Sequence, residues 1–235
     1  VEKKTGEQVW QTVESVLEIA RELLLHGPPG TGKSHAGNSQ KGLNGRKLFS
    51  ITLTWDMPAA ELRGHLWPIS GEKGTEFVWK DGPAISAWRS GGRLVINELQ
   101  KAGPDMVAFL LGCLDNPETA RMTLPTGETV RPHPRFQVVG TMNGSPDELD
   151  SALRDRFPAC IEITAPHPAG IARLPQDLQA AARGSVCAVE PERRLSLRSW
   201  LAFADYREKL GEETAAFVVF GARAQDIVNS LKISR

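Results

Sequence analysis

Residues 27–34, Gly-Pro-Pro-Gly-Thr-Gly-Lys-Ser, constrain this chain more than any other stretch. They fit the phosphate-binding pattern G-x-x-x-x-G-K-[ST] at every fixed position. Average composition would yield the bare pattern by chance in roughly one chain in a hundred of this length. The pattern functions in one setting only: a buried strand leads in and a helix leads out. Leu23-Leu24-Leu25-His26 supplies the apolar run for the strand. Gly27, Pro28, Pro29, Gly30, Thr31 and Gly32 then form a loop whose backbone N–H groups can face phosphate oxygens. Lys33 is placed to reach the β- and γ-phosphates, and Ser34 to offer its hydroxyl to Mg²⁺. His35 continues the nucleotide-contacting stretch onto the helix, whose N-terminus is expected to attract anions. Residues 34–44 are polar and contain glycine, so that helix is weakly encoded.

Downstream, apolar runs alternate with helical patterns. Leu48–Thr54 alternates as a strand does, and Arg93–Ile96, Phe136–Thr141 and Ala159–Ile163 read as further strands. Helices are expected over residues 7–21, Ala59–Leu66, Pro83–Ser90, Pro104–Leu114 and Asp147–Arg156. Hairpins are expected around Glu76–Trp79 and across Pro125-Thr-Gly127. This order predicts an α/β fold with a mostly parallel central sheet. A Pro-rich break at 165–170 marks a boundary, giving domains 1–165 and 166–235. The second reads as a small helical domain with helices over Leu195–Leu210, Glu212–Phe220 and Arg223–Leu231.

Hydrolysis of a nucleotide needs a metal ligand and a water-orienting group beside the phosphate loop. The strand Arg93–Ile96 ends in Asn97-Glu98, so both side chains should emerge where ligands bind to such sheets. Glu98 is the candidate for polarising water. Asn97 offers a neutral oxygen near the metal, without the charge that helps hold Mg²⁺. Asn143, at the tip of the next strand, can hydrogen-bond the γ-phosphate or the water. Arg154 and Arg156 precede the last strand, and such an arginine can reach a neighbouring subunit's γ-phosphate. Arg198 lies in the first turn of a helix, where it opposes the helix dipole unless it meets a phosphate. The five histidines show no metal-ligand spacing.

In this order, the residues resemble an AAA+ ATPase of the MoxR and dynein-related branch, which includes CbbQ/NorQ-type activases and midasin- and McrB-like motors. Glu61–Gly64, Glu76–Pro83, Gly92–Glu98, Leu124–Glu128, Thr141–Asn143 and Ala152–Phe157 carry the likeness, which covers nearly the whole chain. The resemblance implies a P-loop NTPase core with a C-terminal helical lid, binding ATP and Mg²⁺. It makes 27–34 Walker A, 94–98 Walker B, Asn143 sensor 1, Arg156 the arginine finger and Arg198 sensor 2. Residues 67–80 resemble the helix-2 insert and 120–132 the pre-sensor-1 hairpin, which project toward the pore or client. Ser34 and Asn97 become the metal-side residues. Asn97 departs from the family's usual Asp, which implies slower turnover.

The resemblance implies a hexameric ring that remodels or activates a partner protein, often one with a von Willebrand factor A domain. Two alternatives keep the fold: an assembly scaffold that hydrolyses little because of Asn97, and a McrB-like nucleic-acid motor. The second needs a basic stripe on the inserts, which hold only Lys73, Lys80, Arg121 and Arg131 among several acids. Acids and bases balance at 28 each, so no global charge draws the chain to nucleic acid. Cys113, Cys160 and Cys187 lie far apart and fit reduced thiols in a cytoplasmic protein. No apolar run approaches the ~20 residues needed to span a bilayer. The first residues lack the apolar core of a signal peptide.

Overall fold

The computed structural model describes residues 5–71, 74–188 and 190–233. Helix α1 (Gly6–Ile19) buries Val9, Trp10, Val13 and Leu17, a helical spacing. It leads to β1 (Glu22–His26), whose three leucines are fully buried. After the loop come α2 (Lys33–Gly37), β2 (Leu48–Thr52) and α3 (Ala60–Arg63). An antiparallel hairpin follows, β3 (Gly64–Gly71) with β4 (Gly74–Asp81). Then come α4 (Pro83–Ser90), β5 (Arg93–Asn97), α5 (Pro104–Cys113) and a small hairpin of β6 (Met122–Thr123) and β7 (Thr129–Val130). The larger part closes with β8 (Gln137–Thr141), α6 (Ser151–Asp155) and β9 (Ala159–Glu162).

The five main strands lie in the order β2-β5-β8-β1-β9, and every pairing is parallel. β1 has β8 on one side and β9 on the other, yet the chain leaves it for β2 at the far edge. The strand order therefore reverses at β1, and ligands of open parallel sheets bind outside the carboxyl end of such a switch point. The phosphate loop begins there.

The chain packs as two units. One comprises Val13–Gly27 and Ser34–Glu162; the other comprises Val1–Thr12, Pro28–Lys33 and Ile163–Arg235. The first has a core of Leu24, Ile85, Trp88, Leu94, Ile96, Phe136 and Val138, with Trp88 edge-on to Phe136. Each such side chain contributes about 1.5–3 kcal/mol of burial. The second unit holds α7 (Pro168–Ala172), α8 (Gln176–Val186), α9 (Leu197–Leu210), α10 (Glu212–Phe220) and α11 (Ala224–Ile233). Its core is largely aliphatic (Leu174, Leu178, Val228 and Leu231 among others) around an aromatic cluster, in which Trp200 and Phe203 pack on Phe220 at ring distances of 5.4 and 5.1 Å.

Four expectations change. The helix expected over Ala59–Leu66 stops at Arg63, because Gly64 takes φ 117° and turns the chain into β3. The helix expected over Asp147–Arg156 is two pieces, a 3₁₀ turn at Pro146–Glu148 and α6. Ser145 and Glu148 form a capping box for the turn and Asp150 caps α6, so two helix starts compete within six residues. Helices α7 and α8 arise where none was expected: His167 caps α7 with Pro168 in its first turn, and α8 buries only Leu178, Ala182 and Val186.

The fourth change concerns α2, which is only five residues long. Its successor segment is held by a side chain instead. Arg93 is fully buried, donates to Gln137 Oε1 at 2.6 Å, and donates to the carbonyls of Gly37, Ser39 and Lys41. Gln137 in turn donates to Leu17 and Ala20 carbonyls. Burial, with the charge of Arg46 second, pulls the Arg93 pKa down to about 10, so it remains a cation at neutral pH. With one short turn of helix, the dipole expected to attract anions contributes little.

Candidate functional site

Parallel register brings the tips of three strands together. β5 pairs Ile96 with Gly140 of β8, and β8 pairs Thr141 with Leu25 of β1. Asn97 and Thr141 are therefore neighbours, and both are buried. Thr141 Oγ1 donates to Asn97 Oδ1 at 3.0 Å, and Ser34 Oγ lies 3.4 Å from Thr141 Oγ1. The amide nitrogen of Asn97 donates to Ile51 O at 3.2 Å and Ser50 Oγ at 3.3 Å. A carbonyl only accepts, so the contact with Ile51 fixes which way the amide points.

Glu98 follows at φ 58°, ψ 44°, a left-handed conformation that costs a non-glycine residue about 1–2 kcal/mol. This turn swings the carboxylate out of the strand direction. Its Oε1 accepts from Asn143 Nδ2 at 3.1 Å. Its Oε2 accepts from Gln100 Nε2 at 3.0 Å and pairs with Lys101 Nζ at 3.3 Å. Glu98 and Asn143, two separately chosen candidates, thus meet directly.

Arg156 is half-buried, with Asp115 at 3.6 Å and Asp155 at 3.8 Å. Arg154 is more exposed and pairs with Asp147 at 2.5 Å. His35 is exposed on α2.

In the other unit, the loop Pro28–Lys33 lies along the segments that open α7 and α9. His167 N donates to Thr31 O at 2.8 Å, and Leu197 N donates to Gly30 O at 3.1 Å. Gly30 and Gly32 adopt φ of 74° and 105°, and a Cβ on either would stand 2.4 Å from Ser196 Cβ or 2.6 Å from His167 Cβ. Both glycines are thus required by conformation and by space. The Pro28 carbonyl accepts from both the Thr31 hydroxyl at 3.2 Å and the Lys33 ammonium at 2.6 Å. Arg198 is exposed in the first turn of α9, one residue past the Leu197 contact. His167 is stacked on Trp10 at 4.5 Å.

Ser34 and Thr141 fit a magnesium ion that arrives with a nucleotide. Mg²⁺ commonly takes one or two side chains plus substrate phosphates and water. Ser34 supplies a hydroxyl beside the loop, and Thr141 can accept its proton. Among the described residues, no group of three or more His, Cys, Asp or Glu could hold a metal without such a ligand.

Residues 22–157 match the AAA domain, dynein-related subfamily. The chain belongs to that family. An uncharacterized protein of Staphylococcus saprophyticus is 31% identical over 156 residues, 64% of this chain and 59% of that protein. Midasin of Dictyostelium discoideum is 29% identical over 153 residues, 63% of this chain but 3% of midasin. The aligned region spans about three-fifths of the staphylococcal relative's length. The fold is also that of NtrX from Brucella abortus, with a TM-score of 0.58 at 14% identity over 99% of this chain and 49% of that one. NtrX crystallised with ATP gives 0.54, again at 14% identity, over 100% and 68%.

In this AAA domain, sequence reasoning missed Thr141, Gln100 and Lys101 at the strand tips, and Ser196 and His167 beside the loop. Thr141 had a signal: a polar residue at the end of a wholly buried strand, just before Met142-Asn143. Ser50 gave none beyond alternation.

Proposed function

We propose that this AAA domain binds ATP with Mg²⁺ and hydrolyses it, working in a ring that remodels or activates a partner protein. The contact between Glu98 and Asn143 carries the reading. A carboxylate held by an amide at adjacent strand tips is suited to orient and polarise water. The loop takes the phosphates, Lys33 neutralises them, and Ser34 meets the metal. Arg156 acts on the nucleotide of the next subunit, and Arg198 acts from the helical domain 166–235.

The β3–β4 hairpin supports a protein partner. Trp67 and Val78 face each other across it, as do Pro68 and Phe77, so apolar groups occupy both of its faces. Trp67, Val78 and Phe77 are exposed at 49%, 42% and 64%. Exposed apolar surface of this kind marks interaction sites.

A second reading is favoured by the neutral Asn97: a nucleotide-dependent scaffold with little hydrolysis. Native mass measurement with and without ATP, joined to phosphate release by wild type and Glu98→Gln, decides between them. The motor gives an ATP-dependent oligomer with turnover far above that of Glu98→Gln. The scaffold gives the oligomer with turnover equal to that variant. A chain that is monomeric in both conditions removes the ring.

A further inference from the structure

A hydroxyl that binds a cation must present its lone pairs and send its proton elsewhere. At the strand tips the proton order can be derived. Asn97 Oδ1 can only accept, so Thr141 must donate to it across the 3.0 Å contact. The Thr141 proton is then used, and the 3.4 Å contact with Ser34 has Ser34 as its donor. The order runs Ser34 to Thr141 to Asn97, and the Asn97 nitrogen continues it to Ile51 O and Ser50 Oγ.

We infer that Thr141 is a positioning residue for Ser34, and that the site is built for an amide at 97. Resting on the nucleotide reading above, this makes Asn97 a fitted part and not a damaged aspartate. The chain of hydroxyls takes the Ser34 proton, which turns the Ser34 lone pairs toward an incoming cation. An aspartate would still accept from Thr141. Its second oxygen would face the Ile51 carbonyl, acceptor against acceptor, at a buried position whose hydrogen-bond partners (Ser50, Ile51, Thr141) are all neutral.

The test uses Asn97→Asp, Thr141→Val and Thr141→Ser, with two measurements. The first is the melting temperature of the nucleotide-free protein. The second is the affinity for a fluorescent ADP, with Mg²⁺ and with EDTA. Asn97→Asp melts about 4–10 °C below wild type and shows no larger Mg²⁺-dependent gain in affinity. Thr141→Val loses about 10- to 100-fold of the Mg²⁺-dependent gain, keeps its affinity in EDTA, and is rescued by Thr141→Ser. Two results overturn the inference: Asn97→Asp melting at or above wild type, or Thr141→Val keeping the full Mg²⁺ increment. If wild type bound no ADP, the nucleotide reading would fall. The melting series would still decide whether position 97 demands an amide.

Discussion

The side-chain amide of Asn143 donates to Oε1 of Glu98 across 3.1 Å, joining the ends of two adjacent strands. The other carboxylate oxygen is occupied by Gln100 and Lys101. Glu98 is thereby held at both oxygens before any water reaches it.

Glu98→Gln keeps the shape and removes the base of the proposed mechanism. Phosphate release is expected to fall about 10²–10⁴-fold, with nucleotide affinity unchanged. Asn143→Ala releases one oxygen and gives a smaller loss, about tenfold. Turnover of Glu98→Gln at the wild-type rate would remove Glu98 from the mechanism.

Arg156→Ala is expected to bind nucleotide normally and lose about 10³-fold in hydrolysis. If the proposed ring forms, mixing it with inactive Glu98→Gln is expected to restore activity, because a mixed ring would contain interfaces with both groups intact. Two inactive variants that stay inactive on mixing would argue against action between subunits. Arg154→Ala should change the rate little, since its pairing with exposed Asp147 is worth at most about 1 kcal/mol.

Arg93→Met leaves the carbonyls of Gly37, Ser39 and Lys41 without their buried donor. A loss of about 1–3 kcal/mol for each carbonyl left unsatisfied is expected, read by urea unfolding. Arg93→Lys recovers little, because an ammonium cannot span the same carbonyls as a planar fork. Equal stability of Arg93→Lys and wild type would contradict the clamp.

Burial raises the Glu22 carboxyl above its ordinary pKa, with the Arg21 charge opposing. A raised folded-state value means the folded protein holds that proton more tightly than the unfolded chain. The contribution is present below about pH 4.5 and is lost as pH rises through the folded value. Glu22→Gln should therefore melt higher than wild type at pH 7.5, with the difference shrinking toward pH 4. Parallel melting curves across that range would show that Glu22 is not the titrating group.

Much of this was legible in the residues. The strand feeding the loop, the tips at Asn97-Glu98 and Asn143, and Pro83–Ser90 were visible because apolar runs end abruptly in polar groups or glycine. The length of α2 was not, because its termination depends on Arg93, more than fifty residues away. The hydroxyl order at Ser34, Thr141 and Asn97 was hidden for the same reason: it follows from register between strands. α8 escaped because alanine buries without announcing a periodic apolar stripe.

The left-handed backbone at Glu98 sets stability against chemistry at one position. Glycine and asparagine adopt that conformation more readily than glutamate. A variant library sorted for heat resistance alone would accumulate them at 98 and discard the carboxylate. On the proposed mechanism, a glutamate that persists there under selection is retained for what it does to a substrate.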